Sequence, residues 1–164
     1  MFVNTQTLDD ILIRAATNQD SERIIALVFG VLAEYGLPPD PGSKDADLKD
    51  IEGSYIRAGG IFEVIEDKAG NLLGSYGLYP LDQATCELRK MYFVPQIRGK
   101  GLGRRVLERA VEHARLLNYK AIVLETHSAL KEAIHLYTKF GFVPTRIEHI
   151  SARVDQAYIL ELDP

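Results

Sequence analysis

Residues 87–105, ELRKMYFVPQIRGKGLGRR, decide how the rest of this chain is organised. An apolar segment with the composition of a β-strand ends at Pro95, a glycine-rich turn follows at residues 98–103, and an amphipathic helix begins behind it. Glycines let the backbone approach a ligand closely, the first helical N–H groups have no intrahelical acceptor, and the helix dipole favours negative charge. We interpret this order as a pyrophosphate site. Four cationic side chains add full charges to it: Arg98, Lys100, Arg104 and Arg105.

Composition limits what the chain can do. Its 164 residues are expected to form one domain over residues 1–164. A net charge of −4 and a pI near 5.6 argue against nucleic acid or a membrane as partner, so the basic turn suits a small anion. Cys86 is the only cysteine, which excludes a disulfide framework and a cysteine-based metal site. The segment MFVNTQTLDD lacks the pattern of a secretion signal, and no apolar run approaches the ~18–20 residues of a membrane span, so the cytoplasm is the expected location.

Hydrophobic periodicity predicts an α/β (α+β) fold with a mixed, mostly antiparallel sheet of about seven strands and about four helices. An antiparallel meander is followed by a right-handed crossover, which makes the strands on either side of the helix after the glycines parallel neighbours. A ligand is expected at the carboxyl ends of those two strands. The predicted strands are 11–15, 61–66, 72–81, 84–94, 121–124, 142–150 and 154–162, and the predicted helices are 19–35, about 45–57, 102–118 and 130–140.

Two blocks of the sequence resemble the GNAT superfamily of acyl-CoA-dependent N-acyltransferases. The first is the motif R/Q-x-x-G-x-G/A, which stands in this chain as RGKGLG at residues 98–103. The second is a helix end of the type A-I-x-L-Y-x-x-x-G-F, which stands as AIHLYTKFGF at residues 133–142. The two blocks lie at the spacing of the family, and the order of elements matches it over nearly the whole chain.

The resemblance implies a GNAT fold and acetyl-CoA, or another acyl-CoA, as donor, with no metal. The pyrophosphate would sit on the backbone and side chains of residues 98–104. The pantetheine arm would pair like an added strand with residues 91–93, at an edge that a bulge opens. The coenzyme-binding residues so implied are Met91, Tyr92, Phe93, Arg98, Gly99, Lys100, Gly101, Leu102, Gly103 and Arg104.

Other phosphate motifs do not fit the glycine-rich turn. A Walker A loop requires G-x-x-x-x-G-K-[ST], and the sequence contains no such string. A dinucleotide fingerprint requires G-x-G-x-x-G, and after Gly101 and Gly103 the third position is Val106. A nucleotide-binding domain therefore stays the weaker hypothesis.

Acyl transfer to an amine needs a group that removes a proton. A lysine-like ammonium has a pKa near ~10.4, so populating its neutral form at pH 7 costs roughly 4–5 kcal/mol. Glu87, eleven residues before Arg98, matches the position of a glutamate base in histone-modifying members of the family. Its alternative is a strand glutamate that faces water or pairs with Arg89. Tyr137 matches the tyrosine proposed to protonate the coenzyme thiolate, and it equally suits the apolar stripe of its helix.

The remaining polar residues do not identify the acceptor. The four histidines show no metal-ligand spacing, and His127 suits either the cleft or a capping position. Leu130 stands where many relatives have an asparagine that contacts the coenzyme. A cationic side chain in the acceptor pocket would suit a carboxylate, and an acidic one an amine. The candidates for this pocket, each of which also suits an ordinary surface position, are Arg89, Arg153, Asp155 and Gln156.

The sequence thus predicts an acetyl-CoA-dependent N-acetyltransferase that moves an acetyl group to a primary amine of a small molecule or peptide, by direct transfer in a ternary complex. The alternative is a non-catalytic module that binds or senses acyl-CoA. The closing strands form a hairpin whose edge must be covered, which is compatible with a homodimer.

Overall fold

The computed structural model describes residues 8–163, so most of the N-terminal segment examined for a secretion signal lies outside the described residues. Within this range the chain forms a seven-stranded mixed sheet in the order β1-β2-β3-β4-β5-β7-β6. Only β4 and β5 are parallel, as expected for strands joined by a crossover helix. The strands are β1 Ile11–Ala15, β2 Ile61–Asp67, β3 Leu72–Pro80, β4 Thr85–Phe93, β5 Ala121–Thr126, β6 Val143–Pro144 and β7 Gln156–Glu161.

Helices cover both faces of the sheet and create two cores. On one face, α1 (Ser21–Glu34) and the helical turns after it bury Ile24, Val28 and Tyr55 against β2. On the other face, α2 (Leu102–Leu116) and α3 (Lys131–Phe140) bury their apolar stripes against β4 and β5. The α/β fold class predicted from the sequence is confirmed.

The predicted helix at about 45–57 is instead a 3-10 turn, Ala46–Lys49, followed by a π-helical turn, Glu52–Ile56. Asp50 lies between the two turns, and its Oδ1 accepts a hydrogen bond from the N–H of Gly53 at 3.0 Å. Local side-chain-to-backbone bonds of this kind compete with a continuous α-helix.

The two closing strands also differ from prediction. The first, predicted over 142–150, is reduced to Val143–Pro144 at the edge of the sheet, where proline, which has no N–H to donate, is tolerated. The chain then leaves the sheet, and residues 145–155 form a loop before β7. By contrast, β5 is longer than predicted, since Glu125 and Thr126 also pair with β7.

A bulge in β4 separates it from β5. Gly77 of β3 faces Arg89, whereas Ser75 faces Tyr92, so two residues of β4 lie opposite one of β3. Lys90 lies in this bulge with a φ of 56°. β4 pairs with β5 only as far as Glu87, and its remaining residues therefore present an edge that β5 does not cover.

A charged network ties β1 to α1 and β2. Arg14 donates to Asp20 at 2.8 Å and to Glu66 at 2.6 Å, and Arg23 donates to the same two carboxylates. Asp20 also accepts the N–H of Thr17 at 2.9 Å. The hydrogen bond from Arg14 is the main reason that the pKa of Asp20 lies well below its usual range.

Asp20→Asn is expected to lower the free energy of unfolding by about 2 kcal/mol at pH 7, since charged hydrogen bonds contribute roughly 1.5–3 kcal/mol each. Because the native pKa of Asp20 is depressed, its contribution is present above about pH 4 and is lost as pH falls through the native pKa. The variant should therefore lose less stability than the wild type between pH 7 and pH 3 in denaturant titrations. The exposed Glu22→Gln is the control, and equal losses in Asp20→Asn and Glu22→Gln would contradict the prediction.

Candidate active site

A cleft of about 1110 Å³ opens where β4 and β5 separate. α1 and the loop after it, β4, the glycine-rich turn, β5, α3 and the loop before β7 all contribute to its wall. Every predicted catalytic and coenzyme-binding residue lines this cleft except Lys100, whose side chain is exposed in the turn, and of the acceptor candidates Arg89 and Arg153 line it whereas Asp155 and Gln156 do not. The structure thus brings Glu87 and Tyr137 together with the glycine-rich turn around one cavity.

The glycine-rich turn delivers backbone N–H groups to the cleft. Gly101 is the N-cap of α2 and has a φ of 85°, which favours glycine. No side chain caps this helix end, and a Cβ added to Gly101 would meet nothing within 4 Å, because the space in front of it is the cleft. The N–H groups at the start of α2 and its dipole are therefore available to an anion.

Gly103 brings α2 close to α3. A Cβ at Gly103 would lie 2.6 Å from Cδ2 of Leu136, so any other residue would have to displace the end of that side chain. Leu136 is followed by Tyr137, and both line the cleft. The motif that forms the anion cradle therefore also packs against the residue that precedes the tyrosine.

Arg98 fixes the glycine-rich turn through hydrogen bonds to β4 and α1. Its Nε and Nη2 donate to the carbonyl oxygen of Phe93 at 2.9 and 2.7 Å, and its Nη1 donates to Glu34 of α1 at 2.7 Å. The guanidinium is thus engaged by the protein itself, which the sequence did not indicate. Arg104 is more exposed and pairs with Glu108 at 3.1 Å along the helix.

A buried set of charges, which we call the bulge cluster, anchors the bulge of β4. It comprises Lys90, Asp45, Asp47 and Arg153. The ammonium of Lys90 lies 3.1 Å from Asp45 and 3.3 Å from Asp47, and it donates to the carbonyl oxygen of Lys44 at 3.0 Å. Arg153, from the loop before β7, donates to Asp45. Burial alone would raise the pKa of Asp45, but its hydrogen bond from Arg153 and the charge of Lys90 outweigh burial and lower it.

Tyr137 is a buried residue in the wall of the cleft. Burial, with a smaller effect of Tyr92, raises the pKa of its phenol above the ordinary value. The hydroxyl makes no hydrogen bond within the part of the chain that the structure describes, and the raised pKa keeps the phenol neutral at pH 7.

Glu87 pairs with Arg89, one of the two alternatives raised by the sequence. The Nε of Arg89 donates to Oε1 of Glu87, and the guanidinium carbon lies 3.8 Å from the centre of the Tyr79 ring. Burial alone would lower the pKa of Arg89, but the charge and hydrogen bond of Glu87 outweigh it, so the pKa is raised and the guanidinium stays charged. This pair lies on the wall of the cleft beside β5.

Glu125 is a functional candidate that sequence reasoning missed. Its side chain lines the cleft from β5 and is 14% exposed. Oε1 lies 3.3 Å from Nδ1 of His149, whereas Oε2 is buried and finds no hydrogen-bond partner in the described range. The only sequence feature that could have indicated Glu125 was its position directly after the predicted end of β5, at residue 124.

Other candidates have structural roles. Asp155 accepts two hydrogen bonds from Ser128, at 2.8 and 2.6 Å, and Gln156 accepts one from Tyr158 at 2.8 Å. Nδ1 of His127 accepts the N–H of Ala129 at 3.0 Å, which is a local turn contact.

Cys86 is buried, and burial raises the pKa of its thiol to about 12, which suits a core residue rather than a nucleophile. Between residues 8 and 163 no group of three or more metal-ligating side chains was found. None of the helices described above is both long enough and apolar enough to cross a membrane.

Comparison with known proteins agrees with this geometry. A sequence model of the acetyltransferase (GNAT) family matches residues 30–142. The uncharacterized N-acetyltransferase YjgM of Escherichia coli (strain K12) is 41% identical over 144 residues, which are 85% of this chain and 83% of that protein.

Solved structures show the same fold. An acetyltransferase of the GNAT family from Staphylococcus aureus Mu50 has a TM-score of 0.87 at 22% identity, covering 93% of this chain and 99% of its own. The spermidine N-acetyltransferase of Vibrio cholerae, in complex with CoA and spermine, has a TM-score of 0.69 at 22% identity, covering 94% of this chain and 96% of its own.

Proposed function

Because the chain belongs to the acetyltransferase (GNAT) family, we propose that it transfers an acetyl group from acetyl-CoA to a primary amine, by direct transfer in a ternary complex. It is an N-acetyltransferase, as the relatives that share this family are named. The proposal assigns this activity to a single domain over residues 1–164, with a small molecule or peptide as acceptor. One observation carries it: the uncovered edge of β4 leads from the glycine-rich turn to Tyr137 within one cleft.

The cleft fits the donor along its whole length. The backbone N–H groups of residues 99–104 bind the pyrophosphate, assisted by Arg104, while Arg98 keeps the turn in place. The pantetheine arm pairs with the uncovered edge of β4 at Met91, Tyr92 and Phe93 as an added strand would. No step of this binding needs a metal ion.

Acetyl-CoA supplies a thioester whose carbonyl carbon accepts the amine. As the C–N bond forms, the C–S bond breaks. Glu87, on the wall of the cleft, takes the proton that the nitrogen loses, directly or through one water. A backbone N–H of the uncovered part of β4 stabilises the oxyanion. The sulfur gains one proton, so the products are the acetylated amine and the free thiol of CoA.

Tyr137 stabilises the departing sulfur. An ordinary thiol has a pKa of ~8.5, below that of a phenol at ~10, so complete proton transfer from tyrosine is uphill even before burial raises the phenol pKa further. A hydrogen bond from the neutral hydroxyl to the developing thiolate has no such cost. Tyr137 therefore acts chiefly as a hydrogen-bond donor, and solvent completes the protonation.

Tyr137→Phe is expected to lower kcat by about 10–100-fold, since a hydrogen bond to a charged group contributes roughly 1.5–3 kcal/mol. The Kd for CoA should change by less than about threefold, because the resting thiol needs no strong donor. Steady-state kinetics and calorimetry measure the two quantities. Tyr119→Phe is the matched control, because it removes a hydroxyl that donates to Gly59 outside the cleft, and its kcat should stay near wild type. Equal kcat values in the two variants would remove Tyr137 from the mechanism.

The proposed function is tested in two stages. Calorimetry with CoA, ATP and NAD examines the ligand class, and CoA is expected to bind at least about tenfold more tightly than either nucleotide. Release of CoA thiol from acetyl-CoA is then followed with a panel of amino acids, peptides and polyamines. Binding of CoA without turnover of any amine would favour the alternative, a module that senses acyl-CoA. Cytoplasmic location and a homodimer remain predictions, to be examined by cell fractionation and by sedimentation.

A further inference from the structure

We infer that the acceptor is a zwitterion of the amino-acid class, whose carboxylate binds Arg89 and whose amino group faces Glu125. The inference rests on the proposed function and specifies its acceptor. The acceptor class follows from three features of the cleft: the register of β4 and β5, the unused donors of Arg89, and the unpartnered oxygen of Glu125.

The register places Arg89 and Glu125 on either side of the opening between the strands. Glu87 and Val123 are the last pair that β4 and β5 form. Side chains two positions further on each strand point to the same face of the sheet, because the period of a strand is two residues. Those positions are Arg89 and Glu125, and both line the cleft. A guanidinium and a carboxylate therefore flank the gap beside the bulge.

Arg89 is held ready to bind a carboxylate. Its Nε is used by Glu87, and its plane is fixed over the ring of Tyr79. The two terminal nitrogens, Nη1 and Nη2, donate to no acceptor among residues 8–163. These two nitrogens form one side of the planar fork that binds a carboxylate with two parallel hydrogen bonds. Because the protein already orients the guanidinium, little conformational entropy is lost on binding.

Glu125 needs a donor that the described protein does not supply. An unpartnered buried carboxylate oxygen is costly, so such atoms are normally satisfied by a ligand or water. An amino group that arrives as ammonium offers both hydrogen bonds and the opposite charge. His149, 3.3 Å from the other oxygen, already supports the carboxylate from the loop before β7.

The basic side chains of the cleft favour an acceptor with a carboxylate over a polyamine. Lys90 and Arg153 also line the cleft, but the carboxylates of Asp45 and Asp47 neutralise their charges. They therefore attract an incoming anion only weakly. Glu87 binds only the Nε of Arg89, so its two terminal nitrogens can still donate to a ligand carboxylate, whereas a second ammonium cannot accept these hydrogen bonds. An acceptor with one amine and one nearby carboxylate satisfies both Arg89 and Glu125.

The first experiment compares acceptors that differ only in the carboxylate. Thiol release is measured for each L-amino acid, for its carboxamide and for the decarboxylated amine, with spermidine as a polycation. We expect kcat/KM for the best amino acid to exceed that of its amide by about 10–100-fold. Equal values for acid and amide, or a preference for spermidine, would overturn the inference while leaving the proposed function intact.

The second experiment uses the ratio of kcat/KM for acid over amide, which a general loss of structure does not change. Arg89→Met should bring this ratio close to one, and Arg89→Lys, which keeps the charge but loses the fork, should give an intermediate ratio. Arg57→Met is the control, because it removes an exposed cation outside the cleft and should keep the wild-type ratio. An unchanged ratio in Arg89→Met would refute the role of Arg89.

Glu125→Gln examines the amino-group half. It should raise KM for the amino acid about tenfold with little change in kcat, whereas Glu112→Gln, on the exposed face of α2, should leave both unchanged. A fall in kcat at constant KM would contradict the binding role of Glu125. If CoA binds but no amine is acetylated, the proposed function fails by itself. Calorimetric titration of the amino acid into the CoA complex then still decides the inference, and absence of binding would overturn it.

Discussion

Gly101→Glu is expected to abolish CoA binding, with a rise in Kd of at least about 100-fold. Gly101 caps α2 with a φ of 85°, and the space in front of its Cα is the open cleft. A glutamate would place a negative charge where the pyrophosphate must lie, and it would fill the cradle of N–H groups that binds it. Calorimetry with CoA measures the effect directly. Acetyl transfer should fall in parallel at fixed acetyl-CoA concentration.

The chain offers a closely matched control for this variant. Gly70, in the turn between β2 and β3, has the same φ of 85°, and a Cβ added there would likewise meet nothing within 4 Å. Gly70→Glu therefore carries the same backbone strain, roughly 1–2 kcal/mol, at a position outside the cleft. It should lose a similar amount of stability and keep the affinity for CoA. If both variants bound CoA equally well, the glycine-rich turn would not be the pyrophosphate site.

Local patterns explain why this turn was predictable. The glycines, the cations and the amphipathic helix of residues 98–116 follow one another in sequence, so their physical consequence can be inferred without knowing the fold. The limits of β1 were also set by local sequence, since this strand was predicted at Ile11–Ala15, as observed. The confirmed family and fold depended on this kind of information.

Contacts between distant segments were not predictable in the same way. Lys90 is stabilised at its positive φ by Asp45 and Asp47, which lie more than forty residues away. From the sequence, Arg98 was expected to bind phosphate directly, because nothing in the sequence indicated that Glu34 would pair with it. The environment of the unpartnered oxygen of Glu125 depends on where β4 and β5 stop pairing, and these two strands are separated in sequence by the whole of α2.

The two halves of the proposed site therefore differ in origin. The donor half is built from one continuous segment and from α3, which Gly103 brings alongside it. The acceptor half is built where β4, β5 and two loops meet, and its geometry depends on the bulge cluster. Substitutions in the bulge cluster should consequently affect acceptor kinetics more than CoA affinity.

Asp45→Asn tests that dependence and should lower the free energy of unfolding by about 3–5 kcal/mol, the range observed when one partner of a buried ion pair is removed. Asp45 is buried, and it joins Lys90 in β4 to Arg153 in the loop before β7. The amide leaves two buried cations without their shared counter-charge. Because the native pKa of Asp45 is lowered, its stabilisation is present above about pH 4 and is lost as pH falls through the native pKa. The variant should therefore lose less stability than the wild type on acidification.

Denaturant titration at pH 7 measures the loss, and Glu108→Gln is the control, since it breaks an exposed pair along α2 worth only about 0.3–0.5 kcal/mol. In the fraction of Asp45→Asn that stays folded, KM for the acceptor should rise while the Kd for CoA changes little, because neither aspartate of the cluster hydrogen-bonds to the glycine-rich turn. A loss of stability equal to that of Glu108→Gln would show that the bulge does not depend on Asp45. A parallel loss of CoA affinity would show that the two halves of the cleft are not independent.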